Sequence, residues 1–143
     1  MIDFDLIYEE ETDEPNGVLF EMSINDQWEF NDFCSKARQK LAYYDTVVLI
    51  INGAIWENKI YRNELFQYTL NPPFDTLHIC LKDVVYDIDF SKLGISPIYL
   101  PVAIRFGLSD GITPTPSRES ILYGRDTIEI LQNKIAEVTK YIV

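Results

Sequence analysis

Between Leu77 and Phe90 the chain alternates side chains on either side of one short break. Leu77-His78-Ile79-Cys80-Leu81 and Val84-Val85-Tyr86-Asp87-Ile88-Asp89-Phe90 flank Lys82-Asp83, an interval that suits a two-residue hairpin turn. The second arm places Val84, Tyr86, Ile88 and Phe90 on one face and Val85, Asp87 and Asp89 on the other. A lone hairpin is marginal in water, so this one must join a larger sheet or lie under a helix.

The remaining pattern supplies both. Val18, Phe20, Met22 and Ile24 alternate, which predicts a strand over 18–24 with one buried face. Asn25 or Asp26 is placed to cap a helix running to Tyr44, with an inner stripe of Phe30, Phe33, Ala37, Leu41 and Tyr44. Thr46-Val47-Val48-Leu49-Ile50-Ile51 is β-branched and apolar, as a strand covered on both faces is, and Asn52-Gly53 ends it. Residues 57–70 are ambiguous before the break Asn71-Pro72-Pro73. Ile98 to Phe106 predicts a strand whose Pro101 marks an edge or a bulge. Asp126 is placed to cap a last helix in which Ile128, Leu131, Ile135, Val138 and Ile142 form a narrow apolar seam. That seam fits a helix on a sheet, or a short coiled-coil contact. The expected class is α+β: a mixed, mostly antiparallel sheet with two or three helices on one face. Residues 1–17 are expected to be an acidic arm or loop, and 18–143 one domain.

Charge narrows the partners. The 143 residues carry 23 acids and 12 bases, a net charge of −11, and seven of the acids fall in residues 1–14 with no base among them. This argues against direct nucleic-acid binding, which needs clustered Lys and Arg, and against docking on anionic lipid. No apolar run reaches the roughly 20 residues of a membrane helix. The first residues are acidic where a secretion signal would be basic. Cys34 and Cys80 are too few for a disulfide framework, so the expected location is cytoplasmic, with reduced thiols.

Familiar catalytic chemistry is sparse. His78 is the one histidine and lies in an apolar strand, where a packed residue is the ordinary outcome. Cys34, Cys80 and His78 lack metal-ligand spacing, and no metal site is expected of them. Asp87 and Asp89 share a strand face, which either meets solvent or holds a hard cation. There is neither a Walker phosphate loop nor a glycine-rich dinucleotide fingerprint. The distinctive stretch is Thr113 to Ser120. Pro114 and Pro116 stiffen it, and Ser117-Arg118-Glu119 follow. A guanidinium on a stiff loop reads phosphate through its planar fork of donors. Alternatively, Arg118 and Glu119 form a surface ion pair worth under about 1 kcal/mol.

Thr115-Pro116-Ser117-Arg118-Glu119 resembles the catalytic-loop signature Asn-x-Ser-Arg-Glu in the middle domain of the ninety-kilodalton heat-shock chaperones, which are GHKL ATPases. Thr115 stands where those chaperones have Asn. The longer run Leu100-Pro101-Val102-Ala103-Ile104-Arg105-Phe106, then Gly111, then Thr115 through Tyr123, is similar to phage rIIA-like proteins and related GHKL ATPases. Gly17 to Ile24 resembles the last strand of a GHKL nucleotide-binding domain, and Asp26 to Tyr44 the linker helix after it. The resemblance implies a transducer-type domain, inactive alone, with no cofactor of its own. It implies that Arg118 reaches the γ-phosphate of ATP-Mg held by a nucleotide-binding domain, in the same polypeptide or in trans. Thr115, Ser117 and Glu119 would complete that catalytic loop. The setting implied is a bacterial or phage-infected cell. Read without the resemblance, the acidic head fits a free-standing module that binds a protein target.

Overall fold

The computed structural model describes residues 9–56 and 59–142. Helix α1 (Gln27–Leu41) starts where Asp26 accepts a hydrogen bond from the Glu29 amide at 2.8 Å, while the Glu29 carboxylate reaches back to the Asn25 N–H. This reciprocal cap satisfies backbone donors that a helix start leaves unpaired. The helix ends three residues before the expected Tyr44. Ala42 and Tyr43 turn inward, and the Tyr43 hydroxyl donates to the Gln67 carbonyl. The buried stripe is also rotated: Cys34 is its most enclosed residue, and Phe33 is exposed. Phe30, Cys34, Ala37 and Leu41 follow the 4, 3, 4 spacing that faces the sheet, which leaves Phe33 on the shoulder.

Strand β1 (Leu49–Ile51) pairs with β2 (Ala54–Trp56) through Asn52 and Gly53, whose φ values of 51° and 77° suit a primed hairpin turn. The expectation of a strand covered on both faces is corrected here. The pair forms its own two-stranded sheet, and Val48, Ile50 and Ile55 are exposed. The local Asn-Gly turn closes the run onto its nearest neighbour, so it never enters the main sheet.

The ambiguous stretch becomes β3 (Ile60–Arg62) and β4 (Phe66–Thr69), turned around Asn63, whose side-chain oxygen accepts from the Leu65 and Phe66 amides. The expected hairpin forms as β5 (His78–Leu81) and β6 (Val84–Asp87), turning at Lys82-Asp83. Its second arm stops at Asp87, because Phe90–Leu93 winds into a 3-10 turn. Strand β7 (Ala103–Phe106) lies between β4 and β5, giving the order β3-β4-β7-β5-β6. Only β5 and β7 run parallel; the other pairs are antiparallel.

The strand expected over 98–106 is therefore shorter, and it is central rather than an edge. Leu100 and Val102 donate to carbonyls two residues back, so the chain zigzags through Pro101 before entering the sheet. The missing proline donor thus falls outside the ladder.

Helix α2 (Arg125–Ile142) starts with Arg125, so Asp126 sits in its first turn instead of capping it. Its seam from Ile128 to Val138 packs with Leu77, Ile79, Tyr86, Ile104 and Phe106, and Leu131 and Val138 are fully enclosed, while Ile142, expected in the seam, is exposed near the helix end. The sheet covers this seam, which settles it as a helix on a sheet. The opposite face carries Cys80, Val85 and Ala103 against Ala42 and Tyr43. The class is α+β, as expected, but the helices flank both faces of the sheet. All four residues of β5 are buried, so both of its faces are covered.

Residues 18–24 form no strand. Val18, Leu19, Phe20 and Met22 are exposed, Phe20 by 90%, and residues 9–17 are exposed as well. Alternation specifies a strand only where a sheet edge receives it. The acids at positions 3 and 5 lie outside the described residues. No described helix is long and apolar enough to cross a membrane.

Candidate functional site

The Thr113–Ser120 stretch is a closed loop standing between β7 and α2. Its base is anchored by Ile112 and Ile121, both buried. Pro114 and Ile121 bridge, and the Leu122 amide donates to the Thr113 carbonyl at 2.8 Å. Above this the Thr115 amide donates to Ser120 O, and the Arg118 amide donates to Thr115 O, each at 2.8 Å. The Thr115 hydroxyl donates to the Ser120 carbonyl at 3.2 Å. Its single hydrogen is then engaged, so Ser117 Oγ, 3.1 Å away, donates to Thr115 Oγ1. Thr115 and Ser117 are therefore ties that hold the tip, and Arg118 sits there with φ at 60°.

The supports continue outward. Gly111, with φ at 84°, precedes Ile112, and a Cβ there would fall 2.7 Å from the Ile130 side chain. Only glycine combines that conformation with that clearance. Thr127 of α2 donates to the Gly111 carbonyl. The Tyr123 hydroxyl accepts from the Asp89 amide at 2.7 Å, linking the far end of the loop to the end of β6.

Arg118 and Glu119 do not form the ion pair that was the alternative reading. Both are exposed, and among the described residues no carboxylate lies within ion-pair distance of the guanidinium. The backbone places Arg118, and among the described residues no acid engages its charge. The loop forms one wall of an open groove of about 720 Å³, whose other wall is the β5–β6 turn with Lys82. Leu81, Val84, Tyr86 and Ile112 make its floor, and no acidic residue lines it.

A second polar cluster lies elsewhere. His78 Nδ1 is 2.7 Å from the Thr76 carbonyl and Nε2 is 2.8 Å from Asp87 Oδ1. Both partners, the Thr76 carbonyl and the Asp87 carboxylate, are acceptors. Phe74 stacks on the ring at a centroid distance of 3.9 Å. The His78 hydrogen bond holds the Asp87 carboxyl below its ordinary value. Asp89 lies beyond the strand and bonds Ser91, which lowers its own carboxyl. The two aspartates thus serve different partners and do not form the shared face that was expected. No group of three metal-ligating side chains occurs among the described residues. Cys80 is buried and free, its thiol pushed up to about 12 chiefly by desolvation.

Sequence reasoning named His78, Asp87 and Lys82 but missed the pairing of the first two and the groove that the third shares with Arg118. The hairpin register alone sets His78 opposite Asp87, since both lie equally far from the Lys82-Asp83 turn. Lys82 carried no signal, because its nearness to residue 118 is purely tertiary. Comparison with known proteins finds no matching family model, no matching curated protein and no matching solved structure.

Proposed function

We propose that this chain is a transducer-type domain of a GHKL-type ATPase, inactive by itself, that presents Arg118 to the γ-phosphate of ATP bound by a separate nucleotide-binding domain. The observation that carries this reading is the Arg118 tip: a guanidinium with no acidic partner among the described residues, on a loop closed by its own hydrogen bonds. An internal salt bridge would lower its availability to an incoming anion. A floppy loop would charge the contact with ordering entropy. Neither applies to this tip. A positioned guanidinium stabilises charge that develops as the phosphoryl group transfers. Fixed between β7 and α2, the loop also ties that contact to the body of the domain, which is what coupling nucleotide state to conformation requires. The test is ATP turnover by the native assembly that contains this chain. Arg118→Ala should lower turnover by about 100-fold or more, with nucleotide affinity changed far less. Unchanged turnover removes the assignment.

A second reading has its own support. Residues 9–22 combine exposed acids with exposed Val18, Leu19, Phe20 and Met22, a composition suited to a basic protein surface with an apolar patch. In a free-standing interaction module, deleting residues 1–24 abolishes capture of the partner; capture that survives the deletion excludes the head as the binding element.

A further inference from the structure

Lys82 faces the same groove as Arg118, and its backbone is equally constrained. Its amide donates to Phe106 O at 3.2 Å and its carbonyl accepts from the Cys80 thiol at 3.1 Å. Its φ is 61°, so two cationic residues hold left-handed backbone conformations on opposite walls of one groove. Non-glycine residues adopt that conformation at a cost, and the surrounding bonds must impose it. High in pKa, the Cys80 thiol keeps its hydrogen and remains the donor to Lys82 O. Among the described residues the Lys82 ammonium has no acidic partner either. In a chain of net charge −11, this groove is lined among the described residues by two cations and no acid, although Lys82 also borders a neighbouring groove that holds Glu64 and Asp110.

We propose that Lys82 and Arg118 form a two-point clamp for a compact polyanion of the phosphoanhydride class, the triphosphate chain of a nucleotide being the member that the transducer reading requires. The inference rests on that reading for the identity of the nucleotide, but Lys82 is a new contact. Charge selects an anion, and the hydrogen-bond inventory selects its kind. The amides of Lys82, Thr115, Arg118 and Leu122 are all engaged internally. An extended acidic peptide would look to such amides for its main-chain bonds. A phosphate chain needs only charged side chains: a fork of donors from Arg118 and a point charge from Lys82.

The test is calorimetric titration of the whole chain with sodium tripolyphosphate at two salt concentrations. Wild type is compared with Lys82→Gln, Lys82→Arg, Arg118→Ala and, as a control on the exposed face of α1, Lys36→Gln. Circular dichroism checks that each variant is folded. The clamp predicts roughly tenfold weaker binding for Lys82→Gln, a shallower salt dependence by about one ion, and recovery in Lys82→Arg. Lys36→Gln should match wild type. If Lys82→Gln binds like wild type while Arg118→Ala is weakened, the clamp is overturned and the Arg118 reading stands. If all variants bind alike, or nothing binds, the clamp is overturned, and Arg118→Ala turnover in the native assembly then decides the first reading independently. A polyglutamate peptide that displaces tripolyphosphate from this groove at lower concentration overturns the assignment to phosphate.

Discussion

His78 and Arg118 are two side chains treated in opposite ways by the same fold. His78 is buried in β5, meets an acceptor at each ring nitrogen and lies against Phe74. Arg118 is exposed at a loop tip, and its guanidinium meets no carboxylate among the described residues. At His78 the side chain is engaged and the strand is ordinary. At Arg118 the backbone is engaged and the side chain is left for something else. The difference separates a side chain that holds the fold from a side chain that the fold holds out.

The comparison breaks most easily at His78. His78→Ala should lower stability by about 2–3 kcal/mol, from two lost hydrogen bonds and a void against Phe74. Urea denaturation measures this, and a loss under about 0.5 kcal/mol would mean that the cluster is no structural anchor. Gly111→Ala comes next. The Ile130 side-chain end can swing aside, so the cost is mainly that of alanine at φ 84°, about 1–2 kcal/mol. The same variant should weaken tripolyphosphate binding without touching a cation; unchanged binding would show that the tip does not depend on its base.

A smaller effect separates the two sites by pH. The folded carboxyl of Asp87 lies below its unfolded value, because His78 donates to the charged form. Its contribution is therefore fully present above the unfolded value, about 4, and is lost as pH falls through the folded value. Asp87 is largely exposed at the sheet edge, so solvent screening keeps the contribution small. Stability measured between pH 5 and pH 2.5 should fall less steeply in Asp87→Asn than in wild type; parallel curves would place the acid sensitivity elsewhere. Arg118→Ala should change stability least, within about 0.5 kcal/mol, despite its effect on turnover. A larger loss would mean that the guanidinium is part of the fold.

Legibility followed the range of the forces involved. The cap at Asp26, the Asn52-Gly53 turn and the Lys82-Asp83 hairpin are local, and they could be read because their chemistry lies within a few residues. Residues 18–24 and 46–51 misled because alternation and apolarity describe a surface without naming what covers it. The first stretch found no sheet edge, and the second was closed by its own turn. At the candidate site, the prolines and the Ser-Arg-Glu run singled out the loop. Its internal ties could not be read in advance, since the bond between Thr115 and Ser120 depends on how residues 116–119 turn.

By itself, the sequence determined the class, the hairpin, both helices and the stiff arginine loop, since periodicity, capping and proline chemistry act over short separations along the chain. Tertiary structure alone decided that β7 inserts between β4 and β5, that the helices cover opposite faces, and that Lys82 stands across a groove from Arg118. Burial of apolar area is non-directional and acts between residues distant in the chain. Which strands become neighbours depends on every apolar face finding a cover at once.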